Sequence, residues 1–335
     1  MSIEYEYKIK RILVEDVHKV AELYNICFSR EKNTEFFRWK YFENPVEHAK
    51  CSIALHGEKI VGSCVLIPED FFVFGKNMRV YKCCDLMTHP QHRKRGLSTK
   101  LINDVTMTVK QSGPVFFYTL CSKNATGAFL KNKWVMSAEV RYHFKHISQI
   151  KLQVAFRKLI KRKKNIGNIR VIDSISDLYN GFKIKHTNNG NDNIQLYKDE
   201  KYLKWRLGNP FYNYCILGYF QDDAIKGYLI YNKGINNNIF IIDLETKDNN
   251  LQIANLLLNH LESIASENNK SVLALTIKDT YFQKLIQENG YICNPFRRGP
   301  LTSILDFNVF IDEDQDRRSL QKEMWSIHPL NYDDV

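Results

Sequence analysis

The run from Asp85 to Leu101, DLMTHPQHRKRGLSTKL, gathers the residue types that can hold a diphosphate. Cys83 to Thr88 reads as the end of a buried strand, Pro90 stops it, and Leu97, Leu101 and Val105 then recur at helical spacing. A strand, a turn with Gly96 at the point of close approach and a helix start leave several backbone N–H groups and the positive end of a helix dipole in one place. That is the chemistry of a pyrophosphate cradle. Other chemistries lack their residues. There is no G-x-S-x-G elbow, no G-x-x-x-x-G-K-[ST] loop and no H-E-x-x-H helix. His89 and His92 flank a proline turn with no cysteine or third histidine nearby in the sequence, so no metal is expected. Cys121, at a strand end, reads as packing rather than as a nucleophile.

Arg93-x-x-Gly96-x-Ser98, after a strand and a proline, resembles the R/Q-x-x-G-x-G/A loop of the GNAT acyltransferase superfamily, with Ser98 where Gly or Ala is usual. Downstream, Ser122 to Trp134 resembles that family's next helix: an Asn, small residues, an apolar pair and a closing aromatic. The resemblance implies acetyl-coenzyme A, or another acyl-coenzyme A, as co-substrate, and direct attack of an amine on the thioester. It places the acyl carbonyl and pantetheine on the backbone around Leu86 and Thr88, and the pyrophosphate on Arg93, Lys94, Arg95, Gly96, Leu97 and Ser98. Asp85 is the proton acceptor under this reading, with a structural carboxylate as the alternative. The family's tyrosine acid falls at Phe129, so Tyr118 would have to substitute for it, the alternative being a core tyrosine with a satisfied hydroxyl. Asn124 would bond the pantetheine arm, cap its helix, or do both.

These residues need elements to position them. Tyr7 to Leu13 reads as a strand and Glu15 to Phe28 as a helix; Thr34 caps a short aromatic helix that stops at Asn44-Pro45. Cys51 to Leu55 and Ile60 to Leu66 make a hairpin, and further strands are predicted at Phe71 to Phe74 and Arg79 to Thr88. This order resembles a GNAT domain from Tyr7 to about His146.

The second half repeats the first. Phe36-Phe37-Arg38-Trp39-Lys40 and Asn44-Pro45 are echoed by Tyr202-Leu203-Lys204-Trp205-Arg206 and Asn209-Pro210. Gly62 and Gly227 each lie 17 residues beyond their proline, Asp85-Leu86 matches Asp243-Leu244, and Trp134 and Tyr291 close the two units. Landmarks kept in step indicate an internal duplication. The expected architecture is α/β (α+β): two tandem GNAT-like domains, each a mixed, splayed sheet flanked by helices. Residues 1–147 form the catalytic domain, 148–170 a basic amphipathic linker helix, and 171–335 a degenerate second copy. Opposite Arg93 to Gly96 that copy has Leu251-Gln252-Ile253-Ala254, without the cations or the glycine. It is expected to have lost cofactor binding and to help form the acceptor pocket.

With 335 residues, the chain is long enough for two cores. The start, MSIEYEYKIK, is charged where a signal peptide needs an apolar centre, so a cytoplasmic location is expected. Eight cysteines without a C-x-x-C pair read as buried free thiols. Net charge is 48 minus 37, or +11, and no acidic residue occurs between Val140 and Ile172. Within that stretch, Lys151 to Lys164 carries Leu152, Ala155, Phe156, Leu159 and Ile160 on one helical face. Three readings stand: a linker whose apolar stripe packs on a neighbouring domain, a helix lying on anionic lipid at the inner face of a membrane, and nucleic-acid contact, the last disfavoured for want of a base-reading motif. The resemblance points to an N-acetyltransferase acting on a small amine, with an amino sugar carried on a nucleotide or lipid diphosphate as the first acceptor to try. A Fem-type aminoacyl-tRNA-dependent transferase and a non-catalytic acyl-coenzyme A sensor or scaffold are the alternatives.

Overall fold

The structure, a computed structural model, describes residues 6–28, 31–110, 116–160, 168–182, 194–234, 238–277, 281–293, 305–311 and 325–326. The first half runs β1 (Lys8–Arg11), α1 (Val17–Phe28), α2 (Thr34–Phe42), β2 (Lys50–His56), β3 (Lys59–Val73), β4 (Lys76–Thr88), α3 (Leu97–Lys110), β5 (Phe116–Ser122), α4 (Lys123–Lys131) and β6 (Val135–Lys145). After α5 (Ile147–Ile160), the order recurs as β7 (Ile169–Val171), α6 (Ile175–Phe182), β8 (Ile194–Leu196), α7 (Glu200–Leu207), β9 (Tyr214–Gln221), β10 (Ala224–Asn232), β11 (Asn238–Thr246), α8 (Leu251–Glu267), β12 (Ser271–Ile277), α9 (Tyr281–Glu288) and β13 (Ile292–Cys293). Two late strands follow, β14 (Leu305–Ile311) and β15 (Trp325–Ser326).

All described strands join one sheet whose main path is β1-β2-β3-β4-β5-β14-β6-β12-β11-β10-β9-β7. Strand β14, from the far end of the chain, lies antiparallel between β5 and β6, and β6 in turn pairs with β12 and β13 of the second half. The two halves thus complete each other's sheets. One apolar core lies under α1, α2, α6 and α7 and draws on both halves; a second packs α3 and α4 on the first half, and a third packs α5, α8 and α9 on the second.

The duplication extends to hydrogen bonds. Asn33 and Asp199 cap α2 and α7, each accepting from the amide three residues on, at 3.0 and 2.7 Å. The cap is therefore Asn33 and not Thr34, which is the first helical residue; both types cap well, and the chain turns one position early. Asn44 and Asn209 each accept from the amide two residues on. At the closing aromatics, the Trp134 and Tyr291 amides each reach back five residues, across Lys133 and Gly290 at φ of 65° and 81°.

Two expectations change. The strand predicted at Phe71 to Phe74 is the end of the 15-residue β3. Pro68 does not break it: β2 pairing ends at Leu66 and β8 pairing begins at Phe71, so the missing N–H falls in a gap on that edge. The apolar stripe of the linker does not pack on a domain either. Ile150 and Val154 face the α8 core, whereas Leu152, Phe156 and Leu159 are 73%, 61% and 84% exposed. The heptad phase of the two sets differs by about half a turn. The side chain of Ile160 and all of Lys161 to Lys164 lie outside the described residues.

The halves meet at Trp39 and Trp205, whose rings stack 5.1 Å apart at 23°. Each indole N–H donates to the other's backbone carbonyl, at 2.8 and 3.1 Å. Trp39→Phe or Trp205→Phe strips one buried carbonyl of its donor, so each should cost about 1–3 kcal/mol. In urea unfolding of both singles and the double, the two losses should be non-additive, because each substitution disturbs the same stacked pair.

Candidate active site

Strands β4 and β5 run parallel and are paired only at Val80, Tyr81 and Lys82 with Phe116, Phe117 and Tyr118. Beyond Lys82 they part, and among the described residues the β4 edge that faced β5 has no further ladder partner. The fork opens towards Thr88 and the turn that follows. Its apex is fixed by a buried cluster: Glu69 of β3 accepts from the Tyr118 hydroxyl and, at 3.2 Å, from Tyr202 of α7, with Lys82 at 3.5 Å. Glu69 is fully buried, so this pairing is what allows its charge to stay there.

One wall of the fork carries a bulge. Val65 opposes Cys84 and Ser63 opposes Met87, so Asp85 and Leu86 together face one residue of β3, and Asp85 has φ of 46°. The Ser63 hydroxyl bonds the Asp85 carbonyl at 2.8 Å. The Asp85 carboxylate takes Lys40 Nζ at 2.8 Å and the Tyr41 hydroxyl at 2.8 Å, both from α2. Burial, with the charge of Asp85 beside it, pushes the Tyr41 phenol well above its ordinary range, so Tyr41 keeps its proton and donates.

At the mouth, Gly96 has φ of +76° and a Cβ built there would meet no protein atom within 4 Å. Only glycine takes that backbone readily, and the open side is the one from which a phosphate would approach. The turn also holds Lys94 at φ of 62°. No hydrogen bond is formed by the amides of Lys94, Gly96, Leu97 or Ser98 among the described residues, and the first backbone bond at this end of α3 is Lys100 N–H to Gly96 at 3.1 Å. The donors of the first helical turn therefore point outward unpaired.

The side chains expected around this turn do different things. The Arg93 Nε donates to the Thr88 carbonyl at 3.2 Å, and its guanidinium lies beside Cys27. Arg95 bonds the Tyr7 hydroxyl at 3.2 Å, and Tyr7 in turn meets His92 Nδ1 at 3.0 Å. Burial, followed by His56, Arg95 and His89, pulls His92 below the usual imidazole range. Thr88 and Ser98 hydroxyls touch at 3.1 Å, joining the strand end to the helix start. Leu86 is half-buried against the α3 core. Asn124 is exposed as the second residue of α4, whose cap position is Ser122. Leu86, Thr88 and residues 93–98 thus come together at the fork mouth, while Tyr118 is tied to Glu69 at the apex. The cysteines are free, and no group of three His, Cys, Asp or Glu is placed to hold a metal among the described residues.

The second half shows the same construction, closed. Its strands β11 and β12 pair from Asn238–Ser271 to Ile241–Ala274 and then part. At the start of α8, however, the Asn250 side chain accepts from the Gln252 and Ile253 amides at 3.0 and 3.1 Å. A diphosphate would have to displace a cap of the protein's own. Sequence reasoning missed this cap, though an Asn directly before an apolar helical run was its signal.

Residues 8–125 match the family profile described as an acetyltransferase (GNAT) domain. That segment of the chain is a GNAT domain. No curated protein matches it in sequence. Solved structures resemble it in fold. Over 93% of its length it superposes on the whole of a tandem GNAT protein from the clavulanic acid biosynthesis pathway, with a TM-score of 0.63 at 11% identity. A probable N-acyltransferase from Enterococcus faecalis V583 is matched over 91% of this chain and 73% of its own (TM-score 0.62, 14% identity). An N-myristoyltransferase of Saccharomyces cerevisiae with bound myristoyl-CoA is matched over 92% and 80% (TM-score 0.62, 14% identity). The tandem GNAT architecture accounts for the repeated caps, bulges and forks.

Gly96→Ala is the sharpest test of the cradle. It should cost about 1–2 kcal/mol in stability, from the left-handed backbone. It should also weaken coenzyme A binding in calorimetry by at least about tenfold, because a methyl group then stands before the open amides.

Proposed function

We propose that this protein is an acyl-coenzyme A dependent N-acyltransferase whose first half carries the reaction, with acetyl as the acyl group and a small amine as acceptor. The observation that carries the reading is the contrast between the two helix starts: open amides at Gly96, capped amides at Asn250. A donor would lay its pyrophosphate on the amides of Lys94, Gly96, Leu97 and Ser98 and its pantetheine arm along the edge of β4 that has no ladder partner among the described residues, past Thr88 and Leu86. At the fork the amine nitrogen adds to the thioester carbon, the C–S bond breaks, one proton leaves the ammonium and the departing thiolate takes one up. Strand amides facing the fork are suited to the developing oxyanion. An amino sugar of a surface-polysaccharide precursor is the acceptor to try first, on the sequence resemblance alone.

Asp85 and Tyr118 act in this reading as positioning residues. Both oxygens of Asp85 lie within reach of Lys40, at 2.8 and 3.1 Å, and the carboxylate holds the bulge that turns β4. Tyr118 spends its proton on Glu69. Asp85→Asn should leave Lys40 buried without its counter-charge and cost about 3–5 kcal/mol in stability. Turnover should fall with the pH–rate profile unchanged in shape. Intact stability with loss of the acidic limb would instead make Asp85 the base.

The reaction itself is tested by thiol release from acetyl-coenzyme A with a panel of amines, read beside thermal stabilisation by the donor. A ligand at about 100 times its Kd should add about 2.7 kcal/mol. Stabilisation with release only for amino sugars supports the whole reading, and release with another amine class removes the acceptor. Stabilisation by charged tRNA and not by acetyl-coenzyme A would remove the donor.

A further inference from the structure

Helix α5 has two apolar faces where a helix on a protein surface needs one. Ile150 and Val154 are buried against Leu257, Leu258 and Leu261 of α8. Nearly opposite, Leu152, Phe156 and Leu159 stand at spacings of four and three, one face of the helix, each more than 60% exposed. Lys151 and Lys158, both exposed, border this face on one side. Arg157 borders the buried side and is paired with Glu262 at 2.8 Å, alongside the buried Lys145–Glu262 bridge. The helix carries no acidic residue, and none occurs in the sequence from Arg141 to Val171, a stretch with ten cations. Three large apolar side chains beside the exposed Lys151 and Lys158 suit a surface that is apolar beneath and negative on top.

We propose that the outer face of α5 docks the protein on an anionic lipid surface, with Leu152, Phe156 and Leu159 entering the boundary between headgroups and acyl chains and Lys151 and Lys158 meeting lipid phosphates. No described helix is long and apolar enough to cross a membrane, so this contact is with the interface only. The opposite face, anchored on α8, keeps the folded body above the surface. A protein partner would need acidic groups set around an apolar groove; the lipid surface offers that chemistry without shape matching. The proposal stands on α5 alone and does not depend on which amine the fork accepts.

Sedimentation of the full chain with phosphatidylcholine vesicles, with and without about a third phosphatidylserine, tests it. Binding is expected only to the anionic vesicles, and it should weaken steeply between about 0.1 and about 0.5 M salt. Replacing Leu152, Phe156 and Leu159 together with Ser should weaken binding by roughly tenfold or more. Lys151→Ser with Lys158→Ser should weaken it by about fivefold per lysine. All five side chains are exposed, so coenzyme A binding should be unchanged in both variants, and two independent variants keep a folding defect in one from deciding the matter. Binding to neutral vesicles alone, or anionic binding unaffected by both variants, overturns the proposal. So does a dimer in light scattering that the triple variant abolishes while the wild type ignores vesicles, which would make the face a contact between copies.

Discussion

A strand edge that, among the described residues, has no ladder partner beyond Lys82 is the constraint on which the rest of this structure depends. Unpaired backbone groups in a sheet interior cost roughly 1–3 kcal/mol each, so parallel neighbours close unless something holds them apart. Here β4 and β5 are paired for three residues and then separate. Three devices keep them so. The bulge at Asp85 redirects β4 and is clamped to α2 through Lys40 and Tyr41. The far edge of β5 is taken by β14, over all seven residues from Phe116 to Ser122. The apex is tied by Glu69, Lys82, Tyr118 and Tyr202. A donor that bonds the open edge recovers energy that the fold has left unrealised.

The two copies show one scaffold carried to two ends. In each, a buried aspartate beside a strand irregularity takes a lysine and a tyrosine: Lys40 and Tyr41 for Asp85, Lys198 and Tyr228 for Asp243, the latter contacts at 2.7 and 2.8 Å. Although burial pulls the other way, Asp243 and Glu245 hold Lys198 protonated above its usual range. The counterpart of Lys198 by position beside the helix cap is Lys32, and it makes a different use of its charge. Its ammonium lies 3.8–4.5 Å from the rings of Phe211, Phe36 and Tyr212, pinning α2 to the second half. Ancestral equivalence thus survives in where a cation sits, while what the cation does has diverged.

Much of this was legible because it is local. The turn at Gly96, the helix after it and the repeated Trp and Asn-Pro landmarks are short-range patterns, and each falls where the sequence put it. The clamp on Asp85 was not legible: Lys40 and Tyr41 lie more than 40 positions away, and neither periodicity nor turn chemistry records a contact of that range. The outward stripe of α5 failed for a different reason. An apolar helical face is ordinarily the buried one, and the sequence offers two such faces, Ile150 with Val154 and Leu152 with Phe156 and Leu159; only the position of α8 decides between them. The placement of β14 between β5 and β6 follows from no local signal, since a strand near the end of the chain must return across the whole molecule to fill it.

That return explains why the second half persists with a capped helix start. Without β14 the outer edge of β5 would be bare and the fork would lack one wall, and without β6 the strand β12 would lose its antiparallel neighbour. Tyr202 at the apex and Trp205 against Trp39 add ties that only the second copy can supply. The cap at Asn250 therefore leaves these ties of the second half untouched. The exchanged strands thus tie the fork of the first half to backbone and side chains of the second.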